Sequence, residues 1–451
     1  MPLSDLVPGE FLLRAERAKA LLDRAARVRI LCHYDPDGTT SAAILARACL
    51  RRGLEFHATM STVLDADLAK RVAAEGNEVL LVADMGSGQL DLIEGLGIPA
   101  VVLDHHQVLR DSDKVLHLNP LLWGVDGAHG ACGASVSFLF ALVLDEANWD
   151  LAGVALAGMI GDRQHAGGFT GWNSALVAEA VRRGLVRPER RLALRDGPVA
   201  AAVAASLQPY FVGLSGRPEA AAAAVREVGL DPEQRLQDLS AEQRRTLSSL
   251  LAARLVRQGA NPEATGMLME DRYWILAESI FADELTAYVN ACCRQGEEAL
   301  GMALCLSDRE AFLAAEALRT TYDTAVLASL QKIEGGDLHA MKYVQFFYHE
   351  SATMAGSVAG IAMPFFLDQA KPVLGLATTD GATKVSARGT KYLVARGLDL
   401  AVALRDGAKA VGGVGGGHNV ASGATVAKGR EREFLMRVDE IVGAQLTPRE
   451  A

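Results

Sequence analysis

Between Arg27 and about Gly161 the chain alternates short apolar runs with helically spaced segments, and this alternation restricts its fold more than any other feature. The runs are "VRILCH" (Val28 to His33), "EFHATM" (Glu55 to Met60), "EVLLVADM" (Glu78 to Met85) and "PAVVLDHH" (Pro99 to His106). Helical patterns from about Thr40 to Arg52, Ala66 to Glu75 and Gln89 to Gly95 fill the gaps. Apolar strands separated by helix-length connections predict a parallel sheet covered by helices. In such sheets ligands bind beyond the carboxyl ends of the strands. The polar residues gather there: His33, Asp35 and Asp37 after the first run, Asp84 at the end of the third, and Asp104, His105 and His106 at the end of the fourth.

Ionisable groups at the tip of a buried strand are costly unless something neutralises them, which leaves a metal site, a general acid/base pair or a polar turn. Carboxylates gathered bare in one crevice repel one another and raise their own pKa values. Two divalent cations remove that penalty, and a mixed carboxylate and imidazole set, with Asp162 added, suits Mn²⁺, with Mg²⁺ as a substitute. Such ions would prepare a water for in-line attack on phosphorus and neutralise charge on the leaving oxygen, the outline of a phosphoester hydrolase. A single "DxD" after a strand is more often a turn or a helix cap, and "DHH" alone is more often a buried His bonded to an Asp. The coincidence of such clusters at three strand ends, in one order, favours the metal site.

The rest of the chain changes character twice. Arg182 to Ala260 is rich in Ala and Arg, with Leu and Val at helical spacing and no strand-like alternation, and reads as a helical insertion or connector. Within it, "VRRGLVRPERRLALR" sets Arg182, Arg183, Arg187, Arg190, Arg191 and Arg195 against Glu189, as a solvated helix face or a track for phosphates. From Met341 onward, "MKYVQFFYHE" and "VLGLATTDG" read as strands around a small-residue helix, followed by "TKVSARGT" and a glycine-rich loop in "GGVGGGHNVASGATV". The expected fold is therefore α/β: a doubly wound, mainly parallel sheet over residues 1–185, a helical insertion or connector over 186–335, and a smaller α/β domain over 336–451.

A chain of 451 residues exceeds one ordinary core, and with 50% hydrophobic and 22% charged residues it is globular rather than disordered. The six cysteines are scattered, with no pair at metal-ligand spacing, so a reducing cytoplasm is the expected location. The first residues lack the basic-then-apolar order of a signal peptide, and the apolar run from Met354 to Leu367 is too short to span a bilayer, so no membrane partner is expected. A net charge of -10 argues only weakly against a nucleic-acid partner when the acids are concentrated where cations bind.

Taken in order, "HYDPDG", "VADMGSG", "LDHH" and "IGDRQH" resemble the four acidic motifs of the DHH phosphoesterase family, and "GGGHNVASG" resembles the glycine-rich motif of its DHH-associated C-terminal domain. Within that family the length, the insertion and "LTAYVNACCRQG" are most similar to the archaeal RecJ-like nucleases, including those associated with the GINS replication complex. The resemblance implies one metal held by His33, Asp35 and Asp84, and a second held by Asp37, Asp84, His105 and Asp162, with Asp84 bridging. It implies that His106 donates a hydrogen bond to the scissile phosphate and that Asp104 orients a histidine rather than binding metal. In the C-terminal domain it implies phosphate contacts from Gly415, Gly416, Gly417 and His418, and from Arg388, assisted by Ser386, in "SARG". Asn119 and Pro120, after "LHL", fit the same family pattern or a structural turn.

The activity so implied is a two-metal exonuclease that degrades single-stranded DNA or RNA to mononucleotides in replication or repair, with GINS or the replicative helicase complex as the partner suggested by analogy. The alternatives are a phosphodiesterase of short oligonucleotides or cyclic dinucleotides, and a replication-complex scaffold with residual nuclease activity. The helix after "HYDPDG" is expected to start at Thr39 and Thr40, its N-terminus facing the phosphate.

Overall fold

The computed structural model describes residues 2–379 and 381–447. The chain divides into two compact units, one made of Met1–Glu189 and Asp271–Thr320, the other of Arg190–Glu270 and Thr321–Ala451.

In the first unit, β1 (Arg27–His33), β2 (Glu55–Ser61), β3 (Val79–Ala83), β4 (Ala100–Leu103) and β5 (Leu116–Leu118) form one sheet in the order β2-β1-β3-β4-β5, with every neighbouring pair parallel. The short β5, in "LHL", lies outside the four expected runs. Side chains alternate across the strands. Val28, Ile30, Cys32, Leu81, Val101 and Leu103 join the layer of α1 (Gly9–Leu22), α2 (Pro36–Arg51), α5 (Gly133–Leu144), α6 (Ala152–Gly161) and α7 (Gly171–Arg182). Leu31, Leu80, Val82 and Val102 join the opposite layer of α3 (Ala66–Ala74) and α4 (Leu90–Glu94). Both faces are covered, as a parallel sheet requires. The strand order reverses beside β1, so a crevice opens beyond the carboxyl ends of β1 and β3.

The helix after β1 starts at Pro36, not at Thr39 or Thr40. Asp35 caps it, accepting from the Gly38 N–H at 3.1 Å, and Pro36 takes the first helical position, where its missing N–H matters least. Thr39 and Thr40 are buried in the helix, the Thr40 hydroxyl donating to the Pro36 carbonyl at 2.8 Å. The metal-ligand candidates Asp35 and Asp37 are thereby part of the helix start.

The Arg-rich stretch is not all helix. Gly184, with φ 71°, follows α7, and Val186–Leu192 forms β6 in a three-stranded sheet with β7 (Met269–Ile275) and β8 (Ile280–Phe281). A left-handed residue that glycine tolerates stops the helix, and the arginines beyond it continue on an extended backbone. Several meet acids directly: Arg182 and Arg183 on Glu179, Arg187 on Glu189, Arg191 on Asp196. That pairing removes the argument for a bare phosphate track.

The second unit contains a sheet in the order β13-β14-β12-β11-β10-β9, built from β9 (His339–Ala340), β10 (Gln345–Tyr348), β11 (Val373–Thr378), β12 (Ala382–Arg388), β13 (Val414–Gly417) and β14 (Ala421–Ala427). The expected glycine-rich loop is thus an edge strand, β13, paired antiparallel to β14. No helix among the described residues is long and apolar enough to cross a membrane.

Arg29 ties β1 to β2 from a position 2% exposed. Its guanidinium donates to Glu75 Oε2 at 2.6 Å, to the carbonyls of Ile30 and His57 at 3.0 and 2.9 Å, and to Thr59 Oγ1 at 2.8 Å. Arg29→Ala strips these acceptors of their donor, and urea denaturation should show a loss of about 3 kcal/mol. A loss under about 0.5 kcal/mol would mean that the tie does not stabilise the sheet.

Candidate metal centre

The acidic residues converge at the crevice. His33, Asp35 and Asp84 offer ligand atoms within 4.8 Å of one another, and so do Asp37, His105 and Asp162. Asp84 links the two sets, its Oδ1 lying 3.1 Å from His105 Nε2 and its Oδ2 3.5 Å from His33 Nδ1. Asp37 Oδ2 lies 3.7 Å from the same His105 nitrogen, and Asp162 Oδ2 lies 3.8 Å from His105 Nδ1. All six residues expected to hold metal therefore meet in one place.

Backbone groups fix the ligands. The N–H groups of Gly133 and Ala134, at the start of α5, donate to the two oxygens of Asp37 at 2.7 and 2.8 Å. A helix N-terminus stabilises negative charge there. His105 Nδ1–H donates to the Gly127 carbonyl at 2.6 Å, which turns Nε2 toward the carboxylates. Asp84 sits at φ 57°, a left-handed conformation that Asp tolerates better than most residues and that marks many functional sites. A Cβ at Gly133 would stand 2.6 Å from Asp84 Cβ, so only glycine lets α5 approach so closely. Sequence reasoning assigned no role to Gly133 or to Gln164. The Gln164 amide donates to Asp162 Oδ2 at 2.7 Å and to the Gly127 carbonyl at 2.9 Å, and its place inside "IGDRQH" was the available signal.

The electrostatics suit a cation. Burial, then the charges of Asp84 and Asp162, push the Asp37 carboxyl up, and burial likewise carries Asp162 to about 6. Asp84 goes the other way: burial opposes its charge, but the imidazoles of His105 and His33 outweigh it and hold it ionised. Both imidazoles are raised in turn, His33 to about 11, because the surrounding aspartates overcome their burial. Asp84 Oδ2 is buried and finds no hydrogen-bond donor among the described residues. A buried anionic oxygen without a donor, inside a carboxylate and imidazole set, fits a divalent cation.

His106 lies beside this set, in a further group with Asp84, Asp104 and His105 whose ligand atoms are within 4.8 Å of one another, and its side chain is 43% exposed. Its Nδ1 donates to Asp104 Oδ1 at 2.7 Å, so its other nitrogen is directed elsewhere. Asp104 is saturated by the N–H groups of His105, His106 and Ser87, which suits an orienting role.

In the second unit Gly416, Gly423, Ser386 and Gly375 form one row across β13, β14, β12 and β11. Ser386 Oγ and an Arg388 terminal nitrogen face the helix Ala352–Phe365, within 3.2 and 3.4 Å of where a Cβ on Gly356 would lie. Of the three expected phosphate-binding glycines, only Gly416 has open space where a side chain would be. Gly415 and Gly417 lie against the backbone oxygens of Leu404 and Ala421, 2.5 and 2.8 Å from an added Cβ. His418 is exposed, and its main chain closes the turn by an N–H to the Ala421 carbonyl at 2.8 Å.

Comparison with known proteins identifies the two domains in which these residues lie. The family model for the DHH family, N-terminal domain, matches residues 27–159, and that for the DHHA1 domain matches residues 341–444, together more than half of the chain. The chain belongs to the DHH family. Its DHH domain carries the metal-ligand candidates up to His106, and its DHHA1 domain carries the serine, arginine and glycine row. Over 436 residues, 94% of this chain and 95% of the other, it is 33% identical to the uncharacterized protein MJ0831 of Methanocaldococcus jannaschii. Over 183 residues it is 32% identical to the single-stranded-DNA-specific exonuclease RecJ of Thermus thermophilus, covering 37% of this chain and 27% of RecJ. Among solved structures, the Mn²⁺ complex of Thermus thermophilus RecJ matches with a TM-score of 0.62 at 21% identity, over 99% of this chain and 56% of RecJ. CDC45 of Entamoeba histolytica matches with a TM-score of 0.67 at 11% identity, over 95% and 98%. The DHH fold here is RecJ-like, and the chain spans little more than half of the solved RecJ.

With no metal bound, protonated His33 and His105 supply the positive charge. A cation needs their lone pairs, so binding releases protons and strengthens as pH rises. The apparent Mn²⁺ affinity should increase about tenfold per pH unit for each proton released between pH 6 and 8, and calorimetry in buffers of different ionisation enthalpy should detect the protons. A pH-independent affinity would mean that the histidines are not ligands.

Proposed function

We propose that the protein is a metal-dependent exonuclease that hydrolyses single-stranded DNA or RNA to mononucleotides. The observation that carries this reading is the convergence of His33, Asp35, Asp37, Asp84, His105 and Asp162 around an ionised, donor-less Asp84 oxygen, with His106 beside them. In this reading His33, Asp35 and Asp84 hold one cation, and Asp37, Asp84, His105 and Asp162 hold the other, Mn²⁺ best and Mg²⁺ as a substitute. When bound, such ions neutralise the phosphate charge and make a water nucleophilic at neutral pH.

The protein's own groups do the rest. The Asp104 carboxylate, despite the opposing effect of burial, raises the pKa of His106 and favours its protonated form. With Nδ1–H committed to Asp104, the Nε2–H of that imidazolium can donate to a non-bridging phosphate oxygen as its charge grows. Arg388, Ser386, His418 and the open backbone at Gly416 grip a phosphate of the substrate strand. Support for a long single strand as substrate comes from the 32% identity to RecJ over 183 residues, since RecJ is named a single-stranded-DNA-specific exonuclease. A role in replication or repair, with GINS or a helicase complex as partner, belongs to the same reading and rests on family analogy.

End-labelled single-stranded DNA and RNA, incubated with the protein in Mn²⁺, should shorten stepwise to mononucleotides. Asp84→Asn should fold normally by circular dichroism and lose more than about a hundredfold in rate. Cleavage of dinucleotides alone would replace this reading by a short-oligonucleotide phosphodiesterase. Absence of any cleavage would favour a scaffold.

A further inference from the structure

Behind His106 lies a closed ring of hydrogen bonds that neither metal set uses. The His106 imidazole donates to Asp104 Oδ1 at 2.7 Å, and Asp104 Oδ2 accepts from the Ser87 N–H at 2.9 Å. The Asn119 amide donates to the Ser87 hydroxyl oxygen at 2.9 Å and to the His106 carbonyl at 2.9 Å, which closes the ring. Asn119 and Asp104 have no exposed surface, and Ser87 is 2% exposed.

The directions of these bonds are determined. Asn119 Oδ1 accepts from the Leu121 N–H at 3.0 Å, so its Nδ2 must be the atom that faces Ser87 and His106. Ser87 Oγ, already accepting from Asn119, has its own proton left for His117 Nε2 at 2.9 Å. His117 is fully buried and burial lowers its pKa, so its Nε2 can accept there; its Nδ1 lies 3.6 Å from Asp111 and makes no hydrogen bond among the described residues. Reversing the Asn119 amide would set its oxygen against the His106 carbonyl and its NH2 against the Leu121 N–H, leaving buried groups unmatched.

The ring also joins three strand ends. Ser87 begins the turn after β3, His106 follows β4, and Asn119 follows β5. The ring of His106 is fixed through Asp104 and its main chain through Asn119, and Ser87 touches both partners. The His106 side chain is 43% exposed and, among the described residues, its ring packs only against the ring of His105, 4.3 Å between centroids, so its placement depends on these bonds together with that one contact.

We propose that Ser87 and Asn119 are positioning residues that set His106 in place for the reaction without contacting metal or substrate. The proposal rests on the phosphodiesterase reading above. Ser87→Ala deletes one oxygen and keeps the Asp104 bond to the backbone N–H. Asn119→Ala opens the ring at two bonds.

The test is a double-mutant cycle with His106→Ala, read in kcat and KM on single-stranded DNA alongside Mn²⁺ affinity by calorimetry. Each single variant should lower kcat roughly ten- to a hundredfold, with KM and Mn²⁺ affinity changed less than about twofold. In the His106→Ala background both substitutions should have almost no further effect. Equal losses in both backgrounds, or weakened Mn²⁺ binding in step with the lost rate, would overturn the proposal. A crystal structure of Asn119→Ala should show the His106 ring displaced from Asp104 or split between rotamers, and a single unmoved ring would overturn it independently of activity. An inactive parent protein, by contrast, would sink the nuclease reading and leave that structural result to decide the positioning role.

Discussion

The catalytic end of this molecule is organised around two carboxylates, Asp37 and Asp84, that are each only 1–2% exposed. Isolated buried carboxylates are very unfavourable, so the surroundings must supply positive charge or donors. The two aspartates are answered differently. Asp84 takes the imidazoles of His33 and His105, while Asp37 takes the amide groups at the head of α5. The local structure around them meets that need: the abrupt start of α2, the approach of α5 and the left-handed turn at Asp84. What the protein does not balance alone is the repulsion among Asp37, Asp84 and Asp162, which suits a divalent cation.

Much of this was legible in the sequence. The buried strands read clearly because a parallel sheet covered on both faces makes each strand continuously apolar, and the ionisable residues then stand out at the tips. The candidate site was legible because its potential metal-binding residues are chemically distinctive and occur in short runs. What failed to show were the features that depend on contact between distant segments. Gly133 looks like any glycine until Asp84 is placed 2.6 Å from its missing side chain. Asn119 reads as the start of a turn, which it is, and nothing local reveals that its amide reaches His106.

Local errors have local causes. Thr39 and Thr40 look like the start of α2 when only its N-terminus is considered as a phosphate site, but an aspartate followed by proline is the stronger helix start. Asp35 is cap and metal-ligand candidate at once. The Arg-rich stretch looks helical because its Leu and Val fall at helical spacing without strand-like alternation, yet Gly184 stops the helix and Val186–Leu192 pairs with β7 as a strand. In the second unit, three glycines in a row suggested a phosphate loop. Two of them are instead required by neighbouring backbone, which leaves Gly416 as the open position.

The double duty of Asp37 reaches beyond chemistry. Its carboxylate is both a metal-ligand candidate and the acceptor for the first amides of α5, whose twelve residues are all buried. A lineage drifting away from metal binding could discard a half-buried candidate such as Asp162, whose carboxylate accepts from Gln164 rather than from the start of a helix, with less damage to the core. It could not discard Asp37 without first finding another acceptor for that helix. The order in which such a site can decay is therefore constrained by folding. An aspartate at this position, met alone in some distant descendant, would testify to the architecture rather than to a surviving reaction.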